Sequence, residues 1–335
     1  MEKTKMVKVA LIGCGTMGRT HLAGYEKLKN VKVTAICDLD AQKAEEQRAK
    51  HPEAVVYTDF EEMMQQADFE VLDVCLPTYL HKQYAVCGME AGKHVFCEKP
   101  IALTTEDAQI MLDTAKRCGV KFSVGHVLRF FPGYKNAVEQ VKNGRIGIPR
   151  LIRTTRNQAF PQWSWGGWYK DYDKSGGPIV DLIIHDFDWI IHNFGSVERV
   201  FAKSFNGKVD EQEHCMAILK LKNGSLAHVE GSWAYPAGTA FRMTFEVVGT
   251  NAQIEFDNLE SSPVIKHTNV DGVYHLDRYS PVPGTMEPYC AELNEFIQCV
   301  EKDLPPVVTG EEALEALRVS LAALESSKTG KPVTL

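Results

Sequence analysis

The sequence predicts an α/β protein in two parts. A doubly wound parallel sheet comes first, and an α+β domain with a large, mostly antiparallel sheet follows. Strand-like and helix-like runs alternate through the first 125 residues, the pattern of a parallel sheet covered on both faces. After about residue 150 short β-branched runs succeed one another instead, as in an antiparallel sheet. The length of 335 residues, at roughly 150 per domain, also suits two domains.

In the first part the strands are 7–13, 31–38, 70–76, 94–97 and 121–125, short and rich in Val, Ile and Phe. Helical patterns fill the gaps at 16–28, 41–50, 60–67, 80–91 and 105–118. Gly92 and Gly119 stand where helices end. Thr105 precedes Glu106 and Asp107, which predicts an N-cap with acids in the first turn. In the second part a helix over 177–193 precedes strands at 197–206, 213–221, 225–233, 241–248, 252–256 and 263–267. Asn223-Gly224 predicts a tight hairpin turn. Helices return at 287–302 and 309–328, the latter with Glu311 and Glu312 in its first turn. The domains are set at 1–126 and 127–335, with the terminal segment free to pack back on the first.

Composition narrows the function. Apolar residues make up 44% and charged residues 24%, ordinary globular usage. Against 37 Lys and Arg stand 44 Asp and Glu, a net charge of −7. That balance speaks against nucleic acid or an anionic membrane as the main partner. No apolar run approaches the ~18 residues that span a bilayer, and MEKTKMVKVALIG lacks the apolar core of a secretory signal. The nine cysteines are scattered, without a C-x-x-C pair. They predict a reducing cytoplasm rather than a disulfide framework or a zinc module.

Gly13-Cys14-Gly15-Thr16-Met17-Gly18 is a G-x-G-x-x-G that leaves a strand and opens a helix, the setting such a dinucleotide motif requires. Gly13 permits the tight turn, Gly15 a close approach of backbone to pyrophosphate, and Gly18 close helix–strand packing. Thr16 and Met17 start a helix whose N-terminus favours phosphate. Asp38 lies 20 residues past Gly18 at the end of the second strand, where a carboxylate binds ribose hydroxyls. It would repel a 2′-phosphate, and no Arg or Lys follows before Lys43. The expected cofactor is therefore NAD rather than NADP, on a Rossmann fold.

Two further constellations carry chemistry. Cys97-Glu98-Lys99-Pro100 closes a short strand near the sheet edge where α/β proteins bind ligands. Its lysine reads either as a solvated charge or as a site residue. Ser175-Gly176-Gly177-Pro178 then opens a largely apolar helix with Asp181, His185 and Asp188 spaced i, i+4, i+7 on one face. Three readings fit this stripe. One is a structural hydrogen-bond network, since buried charge needs partners. Another is a metal site with His185, Asp188 and His192, for which no further ligand cluster is evident. The third is acid–base catalysis by a histidine whose tautomer a nearby carboxylate fixes.

The chain resembles the Gfo/Idh/MocA family of oxidoreductases. The resemblance rests on LIGCGTMGRTHLAGY, AGKHVFCEKPIAL, GHVLRFFPGYKNA, GGPIVDLIIHDFDWI and the ending TGEEALEALRVSLAALESSKTGKPVTL, so it covers essentially the whole chain. It implies that Lys99, Asp181 and His185 form the catalytic group, with His185 as base for a hydroxyl proton, and that no metal is needed. It implies that Leu76, Pro77, Thr78 and His81 line the cofactor with Lys99, and that Glu98 lies near the nicotinamide ribose. It places Arg129, Tyr134, Trp165, Trp168, Asp188 and, further out, Tyr235 with the substrate. The aromatic segment reads equally as a packed loop core. Pairing through the second-domain sheet, as a homodimer or homotetramer, is implied in the same way. Two departures stand out: Ser175 replaces the first of three glycines, and Ile183 replaces the glycine of D-x-G-x-H.

The resulting expectation is an NAD-dependent dehydrogenase of a sugar, polyol or related cyclic hydroxy compound. A dinucleotide-dependent sensor without turnover is the first alternative, and a reductase of a non-sugar carbonyl the second. Arg129, Arg153 and Arg156 leave open a diphosphate on the substrate.

Overall fold

The structure, a computed structural model, describes residues 6–206, 213–260, 264–270, 273–279 and 286–335. Residues 1–5, the start of the segment examined for a secretory signal, and residue 263, the expected start of a strand, lie outside these.

The first sheet alternates as the sequence predicts. Its elements are β1 (Val7–Ile12), α1 (Thr16–Tyr25), β2 (Val31–Cys37), α2 (Ala41–Arg48), β3 (Val55–Tyr57), α3 (Phe60–Gln66) and β4 (Val71–Val74). α4 (His81–Glu90), β5 (His94–Cys97), α5 (Thr105–Cys118) and β6 (Phe122–Val124) complete it. The strands lie in the order β3-β2-β1-β4-β5-β6, all parallel. The order reverses between β1 and β4, so the turns after these two strands flank the crevice where such sheets bind dinucleotides. β3 is an addition to the expected strands, and three residues are too few to announce themselves. Thr104 rather than Thr105 caps α5, its Oγ1 accepting the Asp107 N–H at 3.1 Å. Gly119 ends that helix in the left-handed conformation (φ 67°).

The second sheet has nine strands. α6 (Pro132–Lys142), β7 (Pro149–Ala159), α7 (Tyr172–Ser175), α8 (Gly177–Asp181) and α9 (Ile184–Phe194) precede its main run. That run comprises β8 (Val197–Asn206), β9 (Glu213–Leu221), β10 (Leu226–Tyr235), β11 (Arg242–Gly249), β12 (Ala252–Asp257), β13 (Val264–Val270) and β14 (Val273–Tyr279). Helices α10 (Pro288–Lys302) and α11 (Gly310–Thr329) and the short strand β15 (Val333–Thr334) end the chain. The order is β14-β13-β12-β11-β7-β10-β9-β8-β15. All pairs are antiparallel except β7 with β10. Asn223-Gly224 makes the expected tight turn between β9 and β10, with Gly224 at φ 88°.

Two compact units are each drawn from several stretches of the chain. One unit comprises 1–127, 163–175 and 286–314, and the other 128–162, 176–285 and 315–335. In the first, α10 lies on α1. Leu22, Tyr25 and Leu28 share a buried cluster with Val7, Val9, Ile36, Leu293 and Phe296. In the second, Val200, Ala202, Cys215, Ala217, Leu219, Ala227 and Val229 turn one face of β8–β10 inward, the alternation a half-buried sheet requires. Tyr134, Trp189, Phe245 and Phe256 form an aromatic cluster beside it.

The expected helix over 177–193 is broken. α8 ends at Asp181 and α9 begins at Ile184, because the Ile183 N–H reaches back to the Pro178 carbonyl at 3.0 Å, one residue beyond the α-helical partner. Asp181 and His185 therefore stand on either side of a joint rather than one turn apart on a regular helix.

Candidate functional site

In the first unit the glycine turn has the shape a dinucleotide needs. Gly13 sits at φ 97°, and a Cβ there would collide with the Cys75 carbonyl. A Cβ on Gly18 would collide with the Gly13 carbonyl. A Cβ on Gly15 would meet nothing within 4 Å, and the residue is exposed, so space is open above the start of α1. Gly15 is the N-cap, and no side chain caps the helix, which leaves first-turn N–H groups for an anion. Asp38, half-buried, holds the turn from the neighbouring strand. Its Oδ2 accepts the Cys14 N–H at 2.6 Å and its Oδ1 the Asp40 N–H at 2.8 Å. Burial, with Asp38 beside it, pushes the Cys14 thiol up to about 12, so Cys14 stays neutral under the turn. Thr16 and Met17 are half-buried in the first turn of α1. The residues fit a dinucleotide at this turn.

Leu76, Pro77 and Thr78 form the turn after β4, running into a short 3-10 helix. His81 is buried, its Nε2 2.8 Å from the Leu76 carbonyl and its Nδ1 2.8 Å from the Pro100 carbonyl. It is expected to line a cofactor; in the structure its ring lies between this turn and the one after β5. In that second turn Lys99-Pro100 is a cis peptide. Lys99 is half-buried, and its backbone N–H donates to Glu98 Oε2 at 3.0 Å. Glu98 is buried, with its Oε1 3.0 Å from His21 Nε2. A Cβ on Gly125 would come within 3.2 Å of that carboxylate, so the glycine makes room for it. His21 and Asp73, which face each other beneath this turn, are absent from the expected site residues. The available signal is a lone acid inside the apolar run EVLDVCL.

The aromatic segment 163–175 belongs to the same unit. Trp165 is exposed, while Trp168 is half-buried and stacked on Tyr169 with centroids 4.1 Å apart. Ser175 is buried and donates its hydroxyl to the Tyr169 carbonyl at 3.1 Å. Its φ is not positive, so a serine costs nothing at that first position. The two residues that follow, Gly176 and Gly177, take φ 74° and 67°.

In the second unit every residue from Asp181 to Ile190 is buried except His185. Its two acidic neighbours are neutralised from outside the helix. Asp186 takes the Arg156 Nε–H at 2.9 Å, with side chains 0% and 3% exposed. Asp188 takes two bonds from Arg129, at 2.9 and 2.5 Å, with side chains 1% and 4% exposed. Such forked, charge-assisted pairs fix geometry as well as charge. Asp188 and Arg129, expected with the substrate, are paired with each other. Tyr134, expected there too, is fully enclosed by Trp189, Phe245 and Phe256. Ile183 is fully buried, and its Cγ2 occupies the space a Cβ on Gly231 would need. Tyr235 is 38% exposed at the end of β10.

Comparison with known proteins bears on this arrangement. A family model described as oxidoreductase family, NAD-binding Rossmann fold, matches residues 7–126. A second, described as oxidoreductase family, C-terminal alpha/beta domain, matches residues 138–335. The chain belongs to the Gfo/Idh/MocA oxidoreductase family. It is 30% identical to a myo-inositol 2-dehydrogenase of Thermotoga maritima, over 98% of each chain. It is 27% identical to a scyllo-inositol 2-dehydrogenase (NAD+) of Bacillus subtilis, over 98% of this chain and 96% of that one. The crystal structure of a probable dehydrogenase from Thermotoga maritima superposes with a TM-score of 0.83 at 28% identity, over 98% of each chain. This oxidoreductase thus carries an NAD-binding Rossmann domain and an α/β C-terminal domain. Among the described residues, no helix is long and apolar enough to cross a membrane.

Proposed function

We propose that this oxidoreductase is an NAD(H)-dependent dehydrogenase that oxidises a secondary hydroxyl of a cyclic polyol or sugar, or reduces the corresponding ketone. The observation that carries the reading is the accessibility of His185. It is the one accessible side chain between Asp181 and Ile190, and both carboxylates nearest it in the helix are occupied by arginines. A histidine so placed is suited to proton transfer near neutral pH. The substrate class is carried over from the inositol dehydrogenases that the chain resembles along its length.

His185 takes the hydroxyl proton on a ring nitrogen. Lys99 hydrogen-bonds the same oxygen and stabilises the negative charge that develops there. Asp181 orients the substrate or the histidine. Glu98 and the Leu76–Thr78 turn border the nicotinamide end, and Asp38 takes the adenosine ribose, favouring NAD over NADP. Trp165, Trp168 and Tyr235 offer aromatic faces to a ring. Bound NAD supplies the acceptor for the carbon-bound hydrogen. The compartment is the cytoplasm, which nine free thiols suit. The assembly is a homodimer or homotetramer formed through the second sheet.

The test is a screen of NADH absorbance with inositols, aldoses, anhydrosugars, amino sugars and nucleotide sugars, and of NADH consumption with the keto-sugars. Turnover with a cyclic polyol or sugar supports the reading. NAD binding by calorimetry without turnover in either direction overturns it in favour of a sensor.

A further inference from the structure

A closed network of ionisable groups lies in the first unit beneath the Glu98-Lys99 turn. His21, on α1, is fully buried. Its Nδ1 is 2.9 Å from Asp73 Oδ2 and its Nε2 is 3.0 Å from Glu98 Oε1. Asp73, fully buried on β4, also accepts the Tyr25 hydroxyl at 3.0 Å and the Cys75 thiol at 3.4 Å. Cys75 Sγ lies 3.2 Å from His21 Nδ1. From the other elements Phe96 presents an edge to the imidazole, and Tyr289 of α10 lies 6.5 Å away, centroid to centroid. Glu292 of α10 is buried and acts on Tyr25, and the buried Cys97 stands next to Glu98.

The decisive feature is that both ring nitrogens face carboxylate oxygens. A neutral imidazole has one N–H and one lone pair. In that form one carboxylate would meet a lone pair inside the buried core, an arrangement that costs heavily. With both nitrogens protonated each carboxylate receives an N–H, and a charge that would otherwise be buried unpaired is matched on two sides.

We propose that His21 is a positioning residue, a doubly protonated ring that clamps the Glu98 carboxylate to Asp73 and so sets the Glu98-Lys99 turn for the cofactor and the reacting oxygen. The proposal rests on the dehydrogenase reading for the use of that turn, but not for the clamp itself. Burial opposes charge on the imidazole, yet Asp73 and Cys75 overcome it and raise the ring's pKa well above the usual histidine value. Burial likewise pushes Glu98 up, and His21 and Lys99 outweigh it and hold the carboxyl below its usual value. His21, Asp73 and Cys75 come together, and direct hydrogen bonds account for their nearest separations of 2.9–3.4 Å.

The closing experiment has two arms. The first uses the unmodified protein: ¹⁵N NMR of His21 across pH 6–9. Both nitrogens protonated throughout supports the clamp, and a neutral ring near pH 7 overturns it. So does one equivalent of tightly bound metal, by mass spectrometry, that His21→Gln abolishes. The second arm compares His21→Gln, Glu98→Gln and the double variant by NAD calorimetry and by pH profile. Without its cation, the buried Glu98 carboxylate takes up a proton more readily. His21→Gln should then bind NAD roughly tenfold more weakly, with a new acid limb in the affinity profile that Glu98→Gln removes. A His21→Gln protein with unchanged affinity and profile overturns the proposal. Should the unmodified protein bind NAD but turn over no substrate, only the dehydrogenase reading falls. Should His21→Gln fail to fold, the NMR arm still decides.

Discussion

At the scale of single residues the site separates groups that hold from groups that react. Asp38 holds: it accepts the Cys14 N–H of the glycine turn and is expected to take a ribose. Asp38→Ala should weaken NAD binding and narrow the preference for NAD over NADP; an unchanged ratio of the two affinities by calorimetry would remove Asp38 from ribose recognition. His185 and Lys99 are proposed to react. His185→Ala and Lys99→Ala should each lower kcat by roughly 10²–10⁴-fold with NAD affinity little changed, measured by steady-state kinetics beside calorimetry. The His21–Glu98 pair also makes stability depend on pH. His21 has a raised pKa in the fold, so its contribution is complete below the unfolded value of about 6.5 and is lost as pH rises through the folded value. Glu98 has a lowered pKa, so its contribution is complete above about 4.3 and is lost as pH falls through the folded value. Thermal melts of the unmodified protein should therefore show an alkaline loss that begins above pH 6.5 and is missing in His21→Gln. Much of this scale was readable in the sequence: the three glycines, Asp38 and the E-K-P turn each sit where the spacing puts them. His21 and Asp73 were not, because an isolated histidine on a helix and an isolated acid on a strand have no local pattern. Their meaning comes only from pairing across 52 residues.

At the scale of elements the joint between α8 and α9 sets Asp181 and His185 relative to each other. The joint is shaped by contact with β10, where Gly231 leaves space for Ile183. A single methyl there overpacks the contact, a change that costs about 1–3 kcal/mol. Gly231→Ala should lower the melting temperature and kcat, and Ile183→Ala in the same chain should restore part of both; a double variant no better than the single one would show that the two do not act as a pair. The helix period predicts an unbroken helix at 177–193 because nothing local marks the break: Leu182 and Ile183 are good core residues in either geometry. Strand β7 escapes the reading for the opposite reason. PRLIRTTRNQA is too polar to look like a central strand, yet several of its polar side chains are committed to partners. Arg153 meets Glu246, Arg156 meets Asp186, and Thr155 shares a hydrogen bond with Thr244. Burial with partners satisfies polar groups that alternation rules read as solvent-facing. The parallel sheet, β3 apart, and the antiparallel strands from β8 to β13 were readable from their apolar and β-branched runs; β14 and β15 were not.

At the scale of the whole molecule the second sheet presents a face rich in exposed apolar side chains. Phe201 and Phe205 on β8, Met216 and Ile218 on β9 and Leu226 on β10 are 41–70% exposed, and the register sets Phe201 opposite Ile218. Contiguous apolar surface of this kind marks association. The protein should run as a homodimer or homotetramer in light scattering, and Ile218→Asp should shift it toward smaller species while circular dichroism stays the same. A monomeric unmodified protein would send the search for its partner elsewhere. The interleaving of the two units has a further consequence, one of timing. Gly24 packs against Leu293, Cys290 lies on the Gly24 carbonyl, and Ser123 donates to the Val308 carbonyl. In the other unit β8 receives β15, and the Ala202 N–H donates to the Ser326 hydroxyl. A chain emerging from the ribosome can therefore finish neither unit until residues 286–335 are out. The glycine turn is synthesised well before the helix that backs it. A chain ending at residue 285 should be recovered as aggregate rather than as a smaller NAD-binding protein. Copies that stop short of that closing segment should hold no functional remnant, so release of the two units as working pieces is expected to be all or nothing.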